Sequence, residues 1–130
     1  MARLTVEEER LSETYILYEL ARKVLESDLV RIQEAPVKLK TPYIHLLEQT
    51  IRLLGKELHF TKVQMKKLGL KVEFNSKDET FSEYTIFFRG YALTAKYMNA
   101  HLKNKVADTI EAGFFRQSDQ SFRTGPAAEA

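Results

Sequence analysis

The sequence predicts a mainly α protein with a small antiparallel β-hairpin, ordered α-α-β-β-α with a third short strand as an option, its first two helices forming one long helical hairpin. Three observations lead to this. Two long segments, one ahead of Pro36 and one ahead of Gly69, repeat apolar residues at spacings of three and four, which places them on one helical face. The stretch "GLKVEFNSKDETFSEYTIFFRGY" at 69–91 switches to a period of two and is dense in aromatic and β-branched residues, which suit a pleated, half-buried surface. From Asn99 the helical period returns.

The first helix starts at Thr5-Val6-Glu7-Glu8, a capping box in which the Thr hydroxyl accepts from the third helical amide while Glu8 reaches back. Glu7 to Glu9 also suit the positive end of the helix dipole. Leu11, Tyr15, Tyr18, Leu25, Leu29 and Ile32 form its stripe, broadened by Leu17, Leu20, Ala21 and Val24. Pro36 ends it after about 30 residues, or about 45 Å. The second helix is expected to start at Thr41-Pro42, with Thr as the cap and Pro at the first helical position, where an amide has no partner anyway. Ile44, Leu47, Ile51, Leu54, Leu58, Met65 and Leu68 carry the period to Gly69, a left-handed stop after Lys66 and Lys67. Residues 36–41 then join two antiparallel rods. Gly55, inside the second, costs about 1 kcal/mol relative to Ala, so a neighbouring backbone lies close to it or the helix bends there.

In the island, Val72 and Phe74 alternate with Lys71 and Glu73, polar "NSKDETFS" supplies the turn, and Tyr84, Ile86 and Phe88 alternate with Thr85, Phe87 and Arg89. A two-stranded ribbon is marginal alone, so one face must rest on the helices, leaving Phe87 for a second chain or the last helix. "YALTAKYM" fits a third strand or a helix start. Asn99 is a good cap, after which Leu102, Val106, Ile110 and Phe114 repeat at four, with an end expected near Gly113. The organisation is a single helical domain at 1–117 with a hairpin insert at 70–90, and a disordered tail at 118–130, which lacks periodicity.

With 130 residues and 44% apolar composition the chain can bury a single core. It has no cysteine, which excludes disulfides, thiolate nucleophiles and Cys-bound zinc. No apolar run reaches the roughly 20 residues of a membrane span, and the acidic start lacks a signal peptide's apolar core, so a cytoplasmic, membrane-free protein is expected. Net charge is +2, unevenly spread: −3 over residues 1–35, +6 over 36–71 and −1 over 72–130. Such segregation suits an acidic partner or neutralisation between segments or copies.

No catalytic, cofactor or metal signature appears, and no small-molecule substrate is evident. His45 and His59 would stand about 21 Å apart on one helix, too far to share a metal, and His101 has no partner at ligand spacing. The glycines are scattered singly, without a phosphate loop or nucleophile elbow. Lys62, Lys66, Lys67 and Lys71, extended by Arg89, Lys96, Lys103 and Lys105 if the fold brings them near, are candidates for phosphate contact, against the plainer reading that lysines at a helix end complement its dipole. Leu11, Tyr15, Tyr18, Leu25, Leu29 and Phe87 are candidates for self-association, against plain core packing. "FFRGY" reads as a tight strand exit.

The layout "QMKKLGLKVEF…YTIFFRGY…HLKNKV" within residues 60–110 resembles small uncharacterised proteins of Gram-positive bacteria and their phages, in which a long helix ends in lysines and Gly, a hairpin ends in Arg-Gly-Tyr and a final helix carries Leu-Lys-x-x-Val. The resemblance implies a mobile-element or accessory role and supplies no functional residues. The expected function is a non-enzymatic, self-associating accessory or adaptor protein, a homodimer because two rods offer more apolar stripe than so small a chain can cover. The alternative is a nucleic-acid-binding accessory protein using residues 62–71.

Overall fold

The computed structural model describes residues 3–116. The elements are α1 (Val6–Glu34), α2 (Lys40–Lys67), β1 (Lys71–Lys77), β2 (Phe81–Phe88), β3 (Tyr91–Met98) and α3 (Asn99–Glu129). "YALTAKYM" is therefore the third strand. The tail expected at 118–130 lies outside the described residues.

The capping box forms as expected: Thr5 N donates to Glu8 Oε1 at 2.8 Å and Glu8 N donates to Thr5 Oγ1 at 3.0 Å. At the other end Ala35 is extended (φ −73, ψ 148), the conformation a following proline favours. The start of α2 differs from the expectation. Its N-cap is Leu39, without a side-chain cap bond, so Thr41 and Pro42 lie inside the first turn. Pro42 is tolerated there because first-turn amides have no intrahelical acceptor. Lys40 Nζ donates to Gln33 O at 2.7 Å across the short link, tying the two rods together. At the far end Gly69 (φ 66) takes the left-handed position, with Gly69 N on Lys66 O at 3.1 Å and Leu70 N on Met65 O at 2.9 Å, a Schellman stop.

The rods run antiparallel, with Tyr15 of α1 beside Lys62 of α2 and Leu25 sharing a cluster with Leu47. Gly55 needs neither of its expected reasons. Nothing lies within 4 Å of where its Cβ would be, and α2 continues unbroken through it. Gly113 was expected near a helix end, but α3 passes it. A Cβ on Gly113 would stand 2.9 Å from Thr50 Cγ2, so the glycine marks close approach of α3 to α2.

Two apolar clusters make the core. One joins Leu11, Ile16, Met65, Leu70, Leu102 and the sheet residues Val72, Tyr84, Ile86 and Phe88; the other joins Ala21, Leu25, Leu47, Leu54 and Val106 across the three helices. Leu17 and Leu20 pack against both. Each fully buried Leu or Ile contributes about 1.5–3 kcal/mol relative to exposure. The rods are whole, and one chain covers the stripe of α1 in part: Leu11, Ala21 and Leu25 are buried, Tyr15, Leu17, Tyr18, Leu20, Leu29 and Ile32 are half-buried, and Val24 is exposed.

The sheet is an antiparallel meander in the order β1-β2-β3. Register pairs Val72 with Ile86 and Ile86 with Leu93 on the face toward the helices, and Phe87 with Lys71 and Ala92 on the other. Phe87 thus points away from α3, leaving a second chain as the surviving expectation for it. A shift between Phe74 and Ser76 puts a bulge at Asn75 in β1. Arg89 (φ 48) and Gly90 (φ 80) form a two-residue turn between β2 and β3, the primed geometry that matches strand twist.

Two polar hubs fasten sheet to helices. Glu8, with its side chain 5% exposed, lies 3.2 Å from Arg89 Nη2 and so links the β2–β3 turn to the start of α1. Arg89 Nη2 also donates to Arg3 O. At the opposite end of the sheet, Asp78 Oδ1 accepts from Thr80 N at 2.8 Å and Phe81 N at 2.7 Å. Asn99 Nδ2 donates to Asp78 O at 2.8 Å, and Ser82 Oγ donates to Asn99 Oδ1 at 2.6 Å. Asn99, expected as a helix cap, therefore spends its side chain on the hairpin.

Candidate functional site

The sequence contributes apolar residues to one face of α1, one face of α3 and the inner face of the sheet, and the three do not close completely. Between them lies a cleft of about 790 Å³, open along one side. Ile16, Leu20 and Val24 of α1 form one wall, Leu102, Val106 and Ile110 of α3 another, and Val72, Phe74 and Tyr84 of the sheet the roof. Periodicity explains each wall: residues four apart on a helix share a face, and residues two apart on a strand share a side.

Charge enters from separate elements. Lys23 from α1, Lys77 from β1 and Lys103 from α3 line the cleft, with Glu19 as the carboxylate. Glu19 Oε1 is 3.8 Å from both Lys23 Nζ and Arg22 Nη2. Among the described residues Lys77 and Lys103 have no ion pair. Burial is the main cause that pushes the Tyr15 and Tyr84 phenols above their ordinary value, with Glu19 adding to both, so these walls stay neutral hydroxyls through the physiological range. Tyr84 is held edge-on by Phe74 and Tyr97, with ring centroids 5.4 and 5.8 Å away.

The residues proposed for phosphate contact gather only in part. Lys66, Lys67, Lys71 and Arg89 lie toward the same end of the molecule, but Lys71 Nζ is 2.9 Å from Glu73 and Arg89 is paired with Glu8 and stacked 5.2 Å from the Phe88 ring. Lys62 stands 6.0 Å over the Tyr15 ring. Lys66 and Lys67 close α2 at its negative end. Lys105 pairs with Glu13, which removes it from any such patch.

The residues proposed for self-association divide as well. Leu11 and Leu25 are each 1% exposed within a single chain, so their side chains pack into its own core. Tyr15, Tyr18 and Leu29 are half-buried, and Phe87 is exposed. The cleft itself was missed by sequence reasoning, apart from Tyr15 and the extension of the lysine patch to Lys103. Its walls come from segments far apart in the chain, and no local pattern distinguishes a wall residue from a core residue. His45, His59 and His101 are all exposed, and among the described residues no three His, Asp or Glu side chains gather as a metal site would require. Among the described residues no helix is long and apolar enough to cross a membrane.

The family model described as YhjD protein matches residues 3–117. A relative from Bacillus subtilis (strain 168), named "Uncharacterized protein YhjD", is 26% identical over 100 residues, covering 77% of this chain and 83% of the relative. This agrees with the resemblance to small uncharacterised Gram-positive proteins. No solved structure matches.

Proposed function

The chain belongs to the YhjD protein family, and from that premise we propose that it is a non-enzymatic accessory protein that works by self-association, two copies pairing through β3. The observation that carries this reading is the contrast between the two sheet edges. β1 is blunted by its bulge at Asn75 and by Lys71, Glu73 and Lys77, the usual devices that keep a strand edge single. β3 is eight residues long, carries one charge, Lys96, and exposes Tyr91 (56%), Leu93 (42%) and Met98 (54%).

Alternate residues of β3 turn their amides and carbonyls away from β2, and among the described residues no other backbone group bonds to them. With Thr94 facing its own copy in an antiparallel pair, each Lys96 falls opposite the other copy's Ala92, so no like charges meet. Phe87, beside Ala92 in register, would lie on the outer face next to this seam. The nucleic-acid reading has weaker support, because Lys71 and Arg89 already have carboxylate partners.

The test is mass by light scattering at tens of micromolar. Twice the chain mass is expected for the parent, and one chain mass for Thr94→Pro, which removes an edge amide that the fold itself does not use. A monomeric parent would overturn the reading.

A further inference from the structure

The cleft between α1, α3 and the sheet is separate from β3, which contributes no residue to it, and its chemistry asks for a different occupant. We propose that it binds a single-chain amphipathic carboxylate, a free long-chain fatty acid, with the alkyl chain along the α1–α3 seam and the carboxylate at Lys77 and Lys103.

Three features support this occupant. The first is size: about 790 Å³ falls within the range of about 300–1,000 Å³ common to small-ligand sites. Two turns of a helix about 10–12 Å across sweep about 850–1,200 Å³, so a partner helix would seat only in part. The second is the lining. Ile16, Leu20, Val24, Val106, Ala107 and Ile110 offer an aliphatic track with no hydrogen-bonding side chain along the α1–α3 seam, which suits methylenes.

The third is charge complementarity. Three lysines against one glutamate line the cleft, and Glu19 is already engaged by Lys23 and Arg22. That leaves Lys77 and Lys103 without a partner among the described residues. They belong at one mouth: Lys77 is in register with Ser82, Ser82 is bonded to Asn99, and Lys103 lies one turn along α3 from Asn99. The amino end of α3, where the helix dipole also favours an anion, opens beside them.

The test uses the full chain and palmitate, read by displacement of a fluorescent fatty acid and by native mass spectrometry. One palmitate per chain is expected, with hexadecanol bound about tenfold more weakly, the order of one charge-assisted contact. Lys77→Gln/Lys103→Gln should weaken palmitate to the level of the alcohol, and Ala107→Trp, at an exposed position on the wall, should abolish binding while the circular dichroism spectrum stays unchanged. Absence of palmitate binding to the parent chain would overturn the proposal even if a variant fails to fold. Equal affinity for acid and alcohol would overturn it as well, as would uptake of acidic amphipathic peptides or of anionic vesicles in place of the free acid. Because the readout is ligand per chain, its outcome is independent of whether the protein pairs through β3.

Discussion

Two glycines at helical positions show how one residue type answers to different forces. Gly113 is held by contact, since a Cβ there meets the Thr50 methyl at 2.9 Å, and that methyl is fixed by the bond from Thr50 Oγ1 to Leu46 O at 2.7 Å. Gly55 faces open space and only loosens its helix. Gly113→Ala should therefore destabilise by about 1–3 kcal/mol, and Gly55→Ala should stabilise by about 0.5–1 kcal/mol. Urea unfolding of the two variants checks the opposite signs. Asp78 offers a pH-dependent counterpart. Backbone bonds from Phe81 and then Thr80 hold its carboxyl below the ordinary 3.8. A group whose folded pKa is lowered adds stability above its unfolded value and loses it as pH falls through the folded one. Asp78→Asn keeps an acceptor and removes the titration, so its melting temperature should fall less than the parent's between about pH 4 and pH 2. An identical acid limb in thermal scans would contradict this.

Among the elements, the β2–β3 hairpin depends on α1 as much as on its own turn. Arg89 occupies a left-handed position that a non-glycine side chain pays for, and its guanidinium meets Glu8, the residue that also closes the α1 capping box. One carboxylate thus serves a helix start and a strand turn. Arg89→Ala should cost about 1–3 kcal/mol, because it leaves a nearly buried carboxylate short of its charged partner. Hydrogen exchange should show faster opening at the first turn of α1 together with β2 and β3, with α2 and α3 unchanged. Faster exchange confined to the turn itself would mean that the two elements are not coupled through Glu8.

Across the whole molecule, the two apolar clusters meet at Leu17 and Leu20, which touch both. That sharing predicts one unfolding transition. The sheet cluster can be followed by tyrosine fluorescence from Tyr84 and Tyr97 in a variant whose Tyr15, Tyr18, Tyr43 and Tyr91 are replaced by Phe, and the helical cluster by far-ultraviolet circular dichroism of the same variant. Coincident midpoints are expected, the mark of a cooperative unit. Separated midpoints would show that the sheet folds apart from the three helices. The chain's charge segregation is also resolved at this scale, since Glu8 and Glu13 of the acidic first segment engage Arg89 and Lys105 of the third, not the basic second segment.

The amino-acid sequence by itself determined the helical hairpin, the capping box at Thr5 and Glu8, the Gly69 stop and the β island, because each rests on periodicity or on bonds between residues a few positions apart. It also allowed the third strand without choosing it over a helix, since "YALTAKYM" becomes a strand only once β2 supplies its ladder. Only the tertiary structure decided the rest. The use of Gly113, the diversion of Asn99 to the hairpin turn, the burial of Leu11 and Leu25, and the cleft with its lysines all depend on which distant segments come to face one another. Local spacing records the face on which a side chain stands, whereas packing of the whole chain decides whether that face is covered by its neighbours or left open.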